Sequence, residues 1–192
     1  MNQPLTRSDA RLNRQRVIQA AREVLAERGV QAEMKEIADR AGVGMGTVYR
    51  NFATKEELIQ AIIGEVVARF DAALDEAETM EDPREAMVFL LRMVWEVAEE
   101  NGELIEPLVR AGYDKGAAPE ATRKRGLRLL ERGIARGVFR ADIPAEFLRD
   151  YLDATMPFVY WRLRQSWGRE ATMAYCEQLL LSTLSGPEGG TR

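Results

Sequence analysis

Apolar side chains recur at helical spacing along almost the whole chain, and no segment shows the strict alternation of a half-buried strand. In the first long segment the apolar positions are Val17, Ala20, Ala21, Val24 and Leu25. Gly29 ends this segment, and the same period continues to the Ser185-Gly186-Pro187 sequence. The pattern predicts an all-α protein.

Local signals place the ends of the individual helices. Thr54 and Glu57 are spaced as a capping box, which opens a long helix to about Asp71. Asp82-Pro83 opens the next helix, in which an acid caps and a proline takes the first position. The other predicted elements are Ser8–Arg28, Met34–Ala41, Met45–Asn51, a short segment Leu104–Tyr113 interrupted by Pro107, a basic helix ending near Gly137, a helix from Pro144 to about Trp167, and a last helix to Ser185.

The residue inventory excludes most catalytic chemistry. Histidine is absent and Cys176 is the single cysteine, so Ser-His-Asp and Cys-His nucleophiles and histidine-ligated zinc are ruled out. We therefore expect a protein that is not an enzyme and that needs no metal or cofactor, with Cys176 as a small buried residue. The polar N-terminal segment and the lack of about 18 consecutive apolar residues predict a cytoplasmic protein without a membrane span.

The net charge of −4 is unevenly distributed. Residues 1–55 hold ten basic and six acidic side chains, a net charge of +4, and the remainder carries −8. A basic head on an acidic body can bind DNA locally while the body resists non-specific attachment. A chance imbalance on solvated helix faces is the alternative at this point.

Two short helices joined by a glycine turn fit a helix-turn-helix. Ala38 allows the second helix to approach closely, and Gly42 supplies the left-handed residue that ends the first. Val43, Val48 and Phe52 then fill a small core, with Ile37 and Val24 as expected partners. Burial of Val48 and Phe52 turns Met45, Gly46, Thr47, Tyr49 and Arg50 outward, where such a helix can enter a major groove.

The stretch Ile37–Leu58 reads Ile-Ala-x-x-Ala-Gly-Val-x-x-Gly-Thr-Val-Tyr-x-x-Phe-x-x-Lys-Glu-x-Leu. It resembles the DNA-binding head of the TetR (tetracycline-repressor) family, and the resemblance extends over about Arg14–Ile63. Beyond that segment the chain matches the family only in helix count, length and acidic balance.

The resemblance implies a set of DNA contacts. The set is Lys35, Met45, Gly46, Thr47, Tyr49, Arg50 and Lys55. Thr47 and Tyr49 are expected to contact the groove and phosphates, Arg50 and Met45 the base edges, and Lys55 a phosphate. Gly46 permits close backbone approach. The chain departs from the family at Ala32-Glu33, where many members have Thr or Ser, and at Gly44, which replaces a frequent Ser cap. Lys35 is expected to compensate for Glu33. For Arg14, Arg16 and Arg22 a solvated face is as plausible as a phosphate contact.

The last two predicted helices carry wide apolar stripes suited to a four-helix interface between two chains. The expected interface residues are Phe147, Tyr151, Met173, Cys176, Leu180 and Leu184. A thick monomeric core is the alternative. A second set of soft or large side chains could line a ligand cavity, although an ordinary core has the same composition. That set is Met87, Met93, Trp95, Tyr113 and Phe158.

These observations predict a helix-turn-helix DNA-binding domain over 1–54, a helical ligand-binding and dimerisation bundle over 55–186, and a flexible tail over 187–192. The predicted function is a homodimeric transcription regulator. We expect it to be a repressor that an apolar small molecule releases from a near-palindromic DNA operator. The alternative is an all-α carrier or protein-interaction module that does not act on DNA.

Overall fold

A computed structural model describes residues 7–110 and 119–186, and within these ranges the chain forms α-helices, one 3₁₀ turn and no strand. The elements are α1 (Arg7–Arg28), the 3₁₀ turn (Gly29–Gln31), α2 (Met34–Ala41), α3 (Met45–Asn51), α4 (Lys55–Thr79), α5 (Pro83–Arg110), α6 (Glu120–Ala135), α7 (Ala145–Trp167) and α8 (Arg169–Ser185). The all-α prediction is confirmed. None of the helices in these ranges combines the length and the apolar composition that a membrane span requires.

The predicted helix signals are present as atomic contacts. Gly42 has φ +66° and ends α2 in the left-handed conformation. The Glu57 backbone N–H donates to Thr54 Oγ1 at 3.1 Å, and the Ala53 N–H donates to Glu57 Oε2 at 2.8 Å. The capping box is therefore confirmed, with its carboxylate accepting from the residue before the cap. At α5, the Arg84 N–H donates to Asp82 Oδ1 at 2.8 Å.

Two predicted boundaries are wrong. The long helix α4 continues past Asp71 to Thr79. Leu104 and Pro107 belong to α5, which runs unbroken to Arg110, so the separate segment predicted for Leu104–Tyr113 does not begin as a new element. Leu104 is only 3% exposed, and its burial stabilises this part of α5. Residues 111–113 and the predicted tail lie outside the described residues.

The chain divides into two compact units, Met1–Val67 with Asn101–Ala117, and Ala68–Glu100 with Ala118–Arg192. Helices α4 and α5 each contribute residues to both. In the first unit, α1, α2 and α3 pack around one apolar cluster that includes Val24, Ile37, Val48 and Phe52. The core predicted for the head is therefore confirmed, with Val43 partly buried at its edge.

The second unit has two apolar clusters. One is centred on α7 and α8 and includes Trp95, Tyr160 and Cys176, and the other joins α4, α5 and α6 around Leu74 and Leu129. Cys176 is a free, buried cysteine, and burial raises the pKa of its thiol. This confirms its predicted packing role.

Arginine side chains of α6 bind the C-terminal part of α4. The Arg125 guanidinium contacts Asp75 Oδ1 at 2.5 Å and Glu78 Oε1 at 3.0 Å. Arg132 donates to the backbone carbonyls of Glu78 at 2.9 Å and Ala77 at 3.3 Å. These carbonyls lie in the last turn of α4, where the backbone oxygens lack intrahelical hydrogen-bond donors. Arg132 of α6 therefore supplies the donors that the end of α4 lacks.

We expect Gly133→Ala to destabilise the protein by about 1–3 kcal/mol, because a Cβ at this position in α6 would collide with the ring of Phe139. Gly126→Ala on the same helix is the matched control. Its Cβ would meet nothing within 4 Å, so loss of glycine entropy predicts a gain of about 0.5–1 kcal/mol. Urea denaturation followed by circular dichroism measures the free energy of unfolding of both variants. Equal effects of the two substitutions would contradict the close packing of Phe139 against Gly133.

Candidate nucleic-acid interface

Helix α3 has one face in the core and one in solvent. Val48 is 0% exposed and packs against α1 and α2, whereas the large side chain of Tyr49 is 51% exposed. Gly46 and Arg50 are also exposed, Thr47 is half-buried, and Met45 is partly buried against the core. The structure therefore brings the five predicted recognition residues together on one short helix.

The Arg50 side chain lies along the helix that carries it. Its Nε donates to the Gly46 carbonyl at 3.0 Å, and its Nη2 donates to Thr47 Oγ1 at 3.3 Å. Asn51 Nδ2 donates to the Thr47 carbonyl at 2.8 Å. No carboxylate takes part in these bonds, so the Arg50 charge is held at the exposed face without being neutralised.

Lys55, the first residue of α4, is half-buried and directed toward the backbone of the head. Its Nζ donates to the Val30 carbonyl at 2.7 Å and to the Ala32 carbonyl at 3.2 Å. One of its three N–H groups remains for another acceptor. The motif identified Lys55 as a phosphate contact, whereas the structure also shows it joining α4 to the turn between α1 and α2.

Lys35 lies on α2, and its surroundings differ from those of the α3 residues. It lines a surface depression built from α1, α2 and the turn between them, together with four carboxylates: Glu27, Glu33, Glu36 and Asp39. Glu33 occupies the cap position of α2, and its N–H donates to Glu36 Oε2 at 2.9 Å. That hydrogen bond, followed by one from Arg28, lowers the pKa of Glu36. Although no Ser or Thr stands at the start of α2, Glu36 therefore satisfies this end of the helix.

Several cations of the head are neutralised internally. Arg40 contacts Glu27 at 2.9 Å and Glu23 at 3.2 Å, and its hydrogen bond lowers the pKa of Glu27. Arg28 contacts Glu36 at 3.0 Å. Arg22 contacts Glu65 at 2.9 Å and also donates to Asn101. For Arg22 the structure thus favours a role inside the protein over the phosphate contact considered from sequence.

The predicted dimer residues fall into two groups. Phe147 is 62% exposed and Tyr151 is 43% exposed, as an interface on a single chain requires. Cys176, Leu180 and Leu184 are at most 1% exposed, so their assignment to an exposed interface is wrong. They recur every fourth residue on the face of α8 that packs in the core of its own unit. Met173 is partly buried against the same cluster.

The expected set of interface residues leaves out other exposed apolar residues of α7 and α8. They are Phe158, Leu163, Trp167, Tyr175 and Leu179. Phe158 follows Phe147 and Tyr151 at eleven and seven residues, which places the three on one face of α7. That spacing was the available signal. Trp167 and Tyr175 make an edge-to-face contact, with ring centroids 6.3 Å apart.

The predicted ligand residues are also divided. Trp95 is 1% exposed and stacks on Tyr160, with centroids 5.1 Å apart. Met87 and Met93 are partly buried near the clusters of the second unit. Phe158 is 68% exposed on α7, so its assignment to an interior pocket is wrong. Tyr113 lies outside the described residues.

Unpartnered polar atoms remain in the second unit. Among the described residues the buried Trp95 indole nitrogen and Thr172 Oγ1 have no hydrogen-bond partner. The Tyr160 ring, which stacks on Trp95, carries a hydroxyl group that donates to Glu99 Oε1 at 2.5 Å. Glu99 also contacts Arg169 at 3.0 Å. Burial and the Glu99 carboxylate raise the pKa of Tyr160 to about 12. In the described ranges no group of three Cys, Asp or Glu side chains could hold a metal ion.

Residues 17–62 match the sequence model of the family described as bacterial regulatory proteins, tetR family. The HTH-type transcriptional repressor KstR2 of Mycolicibacterium smegmatis is 25% identical over 174 residues, covering 82% of this chain and 83% of that protein. The HTH-type transcriptional repressor AcnR of Corynebacterium glutamicum is 27% identical over 150 residues, covering 75% and 78%. The structure of the fatty acid degradation regulator FadR from Bacillus halodurans superposes with a TM-score of 0.74, at 24% identity, over 88% of this chain and 98% of that one.

We expect Lys55→Gln to lower the free energy of unfolding by about 1–3 kcal/mol, because two carbonyls of the head lose a charged donor. Lys35→Gln is the matched control, since Lys35 is exposed and its replacement removes the same charge. Thermal and urea unfolding measure both variants. If Lys55→Gln unfolds like the unmodified protein, the lysine does not brace the head.

Proposed function

Because its N-terminal domain is that of the tetR family of bacterial regulatory proteins, we propose that this chain is a repressor that binds operator DNA as a homodimer and is released by a small molecule. The two relatives described above are both named HTH-type transcriptional repressors, and this shared name supports a DNA-binding transcription regulator. The observation that carries the proposal is α3, a helix anchored by buried Val48 and exposing Tyr49 and Arg50.

We assign the α3 residues according to their chemistry. Arg50 offers a charged planar donor set for guanine edges or phosphate, and it extends once its bonds to the Gly46 carbonyl and Thr47 Oγ1 are released. Tyr49 and Thr47 supply hydroxyl groups, and Met45 supplies apolar contact. Gly46 leaves the backbone uncovered, since a Cβ there would meet nothing within 4 Å of the protein.

The proposed dimer forms through the exposed faces of α7 and α8. Phe147, Tyr151 and Phe158 lie on one face of α7, and Tyr175 and Leu179 lie one turn apart on α8. The two helices pack on each other within one chain, so a second copy would complete a four-helix arrangement. Four of these exposed residues are aromatic, and protein–protein interfaces are enriched in aromatic side chains.

The proposed effector site surrounds Trp95. An indole N–H buried without an acceptor costs about 1–3 kcal/mol, and a ligand oxygen at this position would remove that penalty. The stacked Tyr160 ring and the flexible Met87 side chain, which packs against the cluster that contains Trp95, supply apolar contacts. Met93 packs against the neighbouring cluster of α4, α5 and α6. These features support a mostly apolar effector that carries at least one hydrogen-bond acceptor.

Selection of bound duplexes from a random DNA pool tests the proposed function. We expect a near-palindromic site, because two-fold protein symmetry selects symmetric half-sites. Tyr49→Ala and Thr47→Ala should weaken that site by about 1–3 kcal/mol and a shuffled duplex by less, while the helical content is retained. Equal weakening on both duplexes would contradict base recognition by α3. The selected duplex then serves to screen small molecules for release.

We expect Phe158→Glu to shift the protein from dimer to monomer without unfolding it. Phe158 is 68% exposed on one chain, so the carboxylate is solvated in the monomer and buried without a partner only in the proposed interface. Leu12→Glu on α1 is the matched control, since Leu12 is 47% exposed and lies outside the α7–α8 surface. Sedimentation velocity measures the mass, and a Phe158→Glu protein that stays dimeric would place the interface elsewhere.

A further inference from the structure

The N-terminal part of α1 extends beyond the core of the head. From residue 8 onward the first buried side chain of α1 is Val17, and no side chain of residues 8–16 is buried. These residues form more than two helical turns at 3.6 residues per turn. We call residues 8–16 the α1 extension. An exposed helical extension contributes little to the core, so packing does not determine which side chains it carries.

The α1 extension is strongly basic. Residues 8–16 contain three arginines and a single acid, Asp9. Arg11, Arg14 and Arg16 are exposed, and none pairs with a carboxylate among the described residues. Arg28 and Arg40, farther along the head, are both paired with carboxylates. Among the described arginines of the head, those without a carboxylate partner therefore lie in the α1 extension and on α3.

A direct contact links this extension to α3. The Arg14 guanidinium lies over the ring of Phe52, 4.9 Å from its centroid. Phe52 is buried and is the cap residue at the C-terminal end of α3. Phe52 therefore anchors the Arg14 charge beside the end of the proposed recognition helix.

Helical spacing divides the three arginines between two faces. Arg14 precedes Val17, Ile18 and Ala21 by three, four and seven residues, so it continues the face that packs in the head. Arg11 precedes Arg14 by three residues and shares that side. Arg16 is two residues from Arg14, about 200° around the helix, and points away from it.

We infer that the α1 extension is a second DNA-contacting element, in which Arg11 and Arg14 bind backbone phosphates next to the groove entered by α3. This inference rests on the proposed function and adds a surface to it. Phosphate contacts of this kind fix the register of the protein on the duplex, and they depend little on the base sequence. Arg14, held by Phe52, would thus help to orient α3 in the groove.

The test is the salt dependence of DNA affinity, measured by fluorescence anisotropy with the selected duplex and with a shuffled duplex. Removing one arginine–phosphate interaction reduces the slope of log affinity against log salt by about 0.9. Because a dimer carries two copies of each arginine, Arg14→Gln should reduce the slope by about two units on both duplexes. Arg11→Gln should have a similar effect, and Arg14→Lys should retain most of the slope because it keeps the charge.

Arg16→Gln is the matched control, because it removes the same charge from the same exposed segment on the other face. We expect its slope to equal that of the unmodified protein. An unchanged slope in Arg14→Gln, or an equal reduction in Arg16→Gln, would overturn the inference. Failure of the unmodified protein to bind either duplex would overturn the proposed function, and this inference with it. Circular dichroism of each variant checks that α1 remains folded.

Discussion

The close packing of α2 against α3 is the interaction on which the rest of the head depends. Ala38 and Val48 are at most 1% exposed, and the small alanine side chain lets the two helices approach. Gly42 makes this possible by adopting φ +66° at the turn, where a side chain would be strained. Once Val48 is fixed in the core, the direction of Tyr49 and Arg50 is determined by helical geometry alone.

The head uses its arginines in two ways. Toward the C-terminal half of α1 and α2, Arg28 and Arg40 form ion pairs with carboxylates. Such exposed pairs contribute little stability, typically up to about 1 kcal/mol, but they cancel charge locally. Toward the start of α1 and on α3, Arg14 and Arg50 are positioned by an aromatic ring and a backbone carbonyl instead. Neutral partners position a guanidinium and leave its charge to act on an anion.

Most of the fold could be predicted from sequence because its signals are local. The periodicity, the Thr54–Glu57 capping box and Gly42 are each decided within one or two helical turns, and the structure contains them. The surfaces of α7 and α8 could not be assigned in this way. Leu180 and Phe158 are both apolar, and only the packing of one helix on the next decides that Leu180 is buried and Phe158 exposed. The polar residues show the same limit, since Arg92 is spaced to pair with Glu96 on its own helix yet binds Glu177 of α8 at 2.6 Å.

The arginine contacts between α6 and α4 have a consequence for how the protein responds to its surroundings. The Arg125 guanidinium stays charged at any ordinary pH, and its hydrogen bond lowers the pKa of Glu78. The contribution of Glu78 is therefore complete above the ordinary carboxyl range and is lost only as the solution becomes strongly acidic. With no histidine anywhere in the sequence, the junction of these two helices is insensitive to proton concentration near neutrality, while ionic strength still screens it.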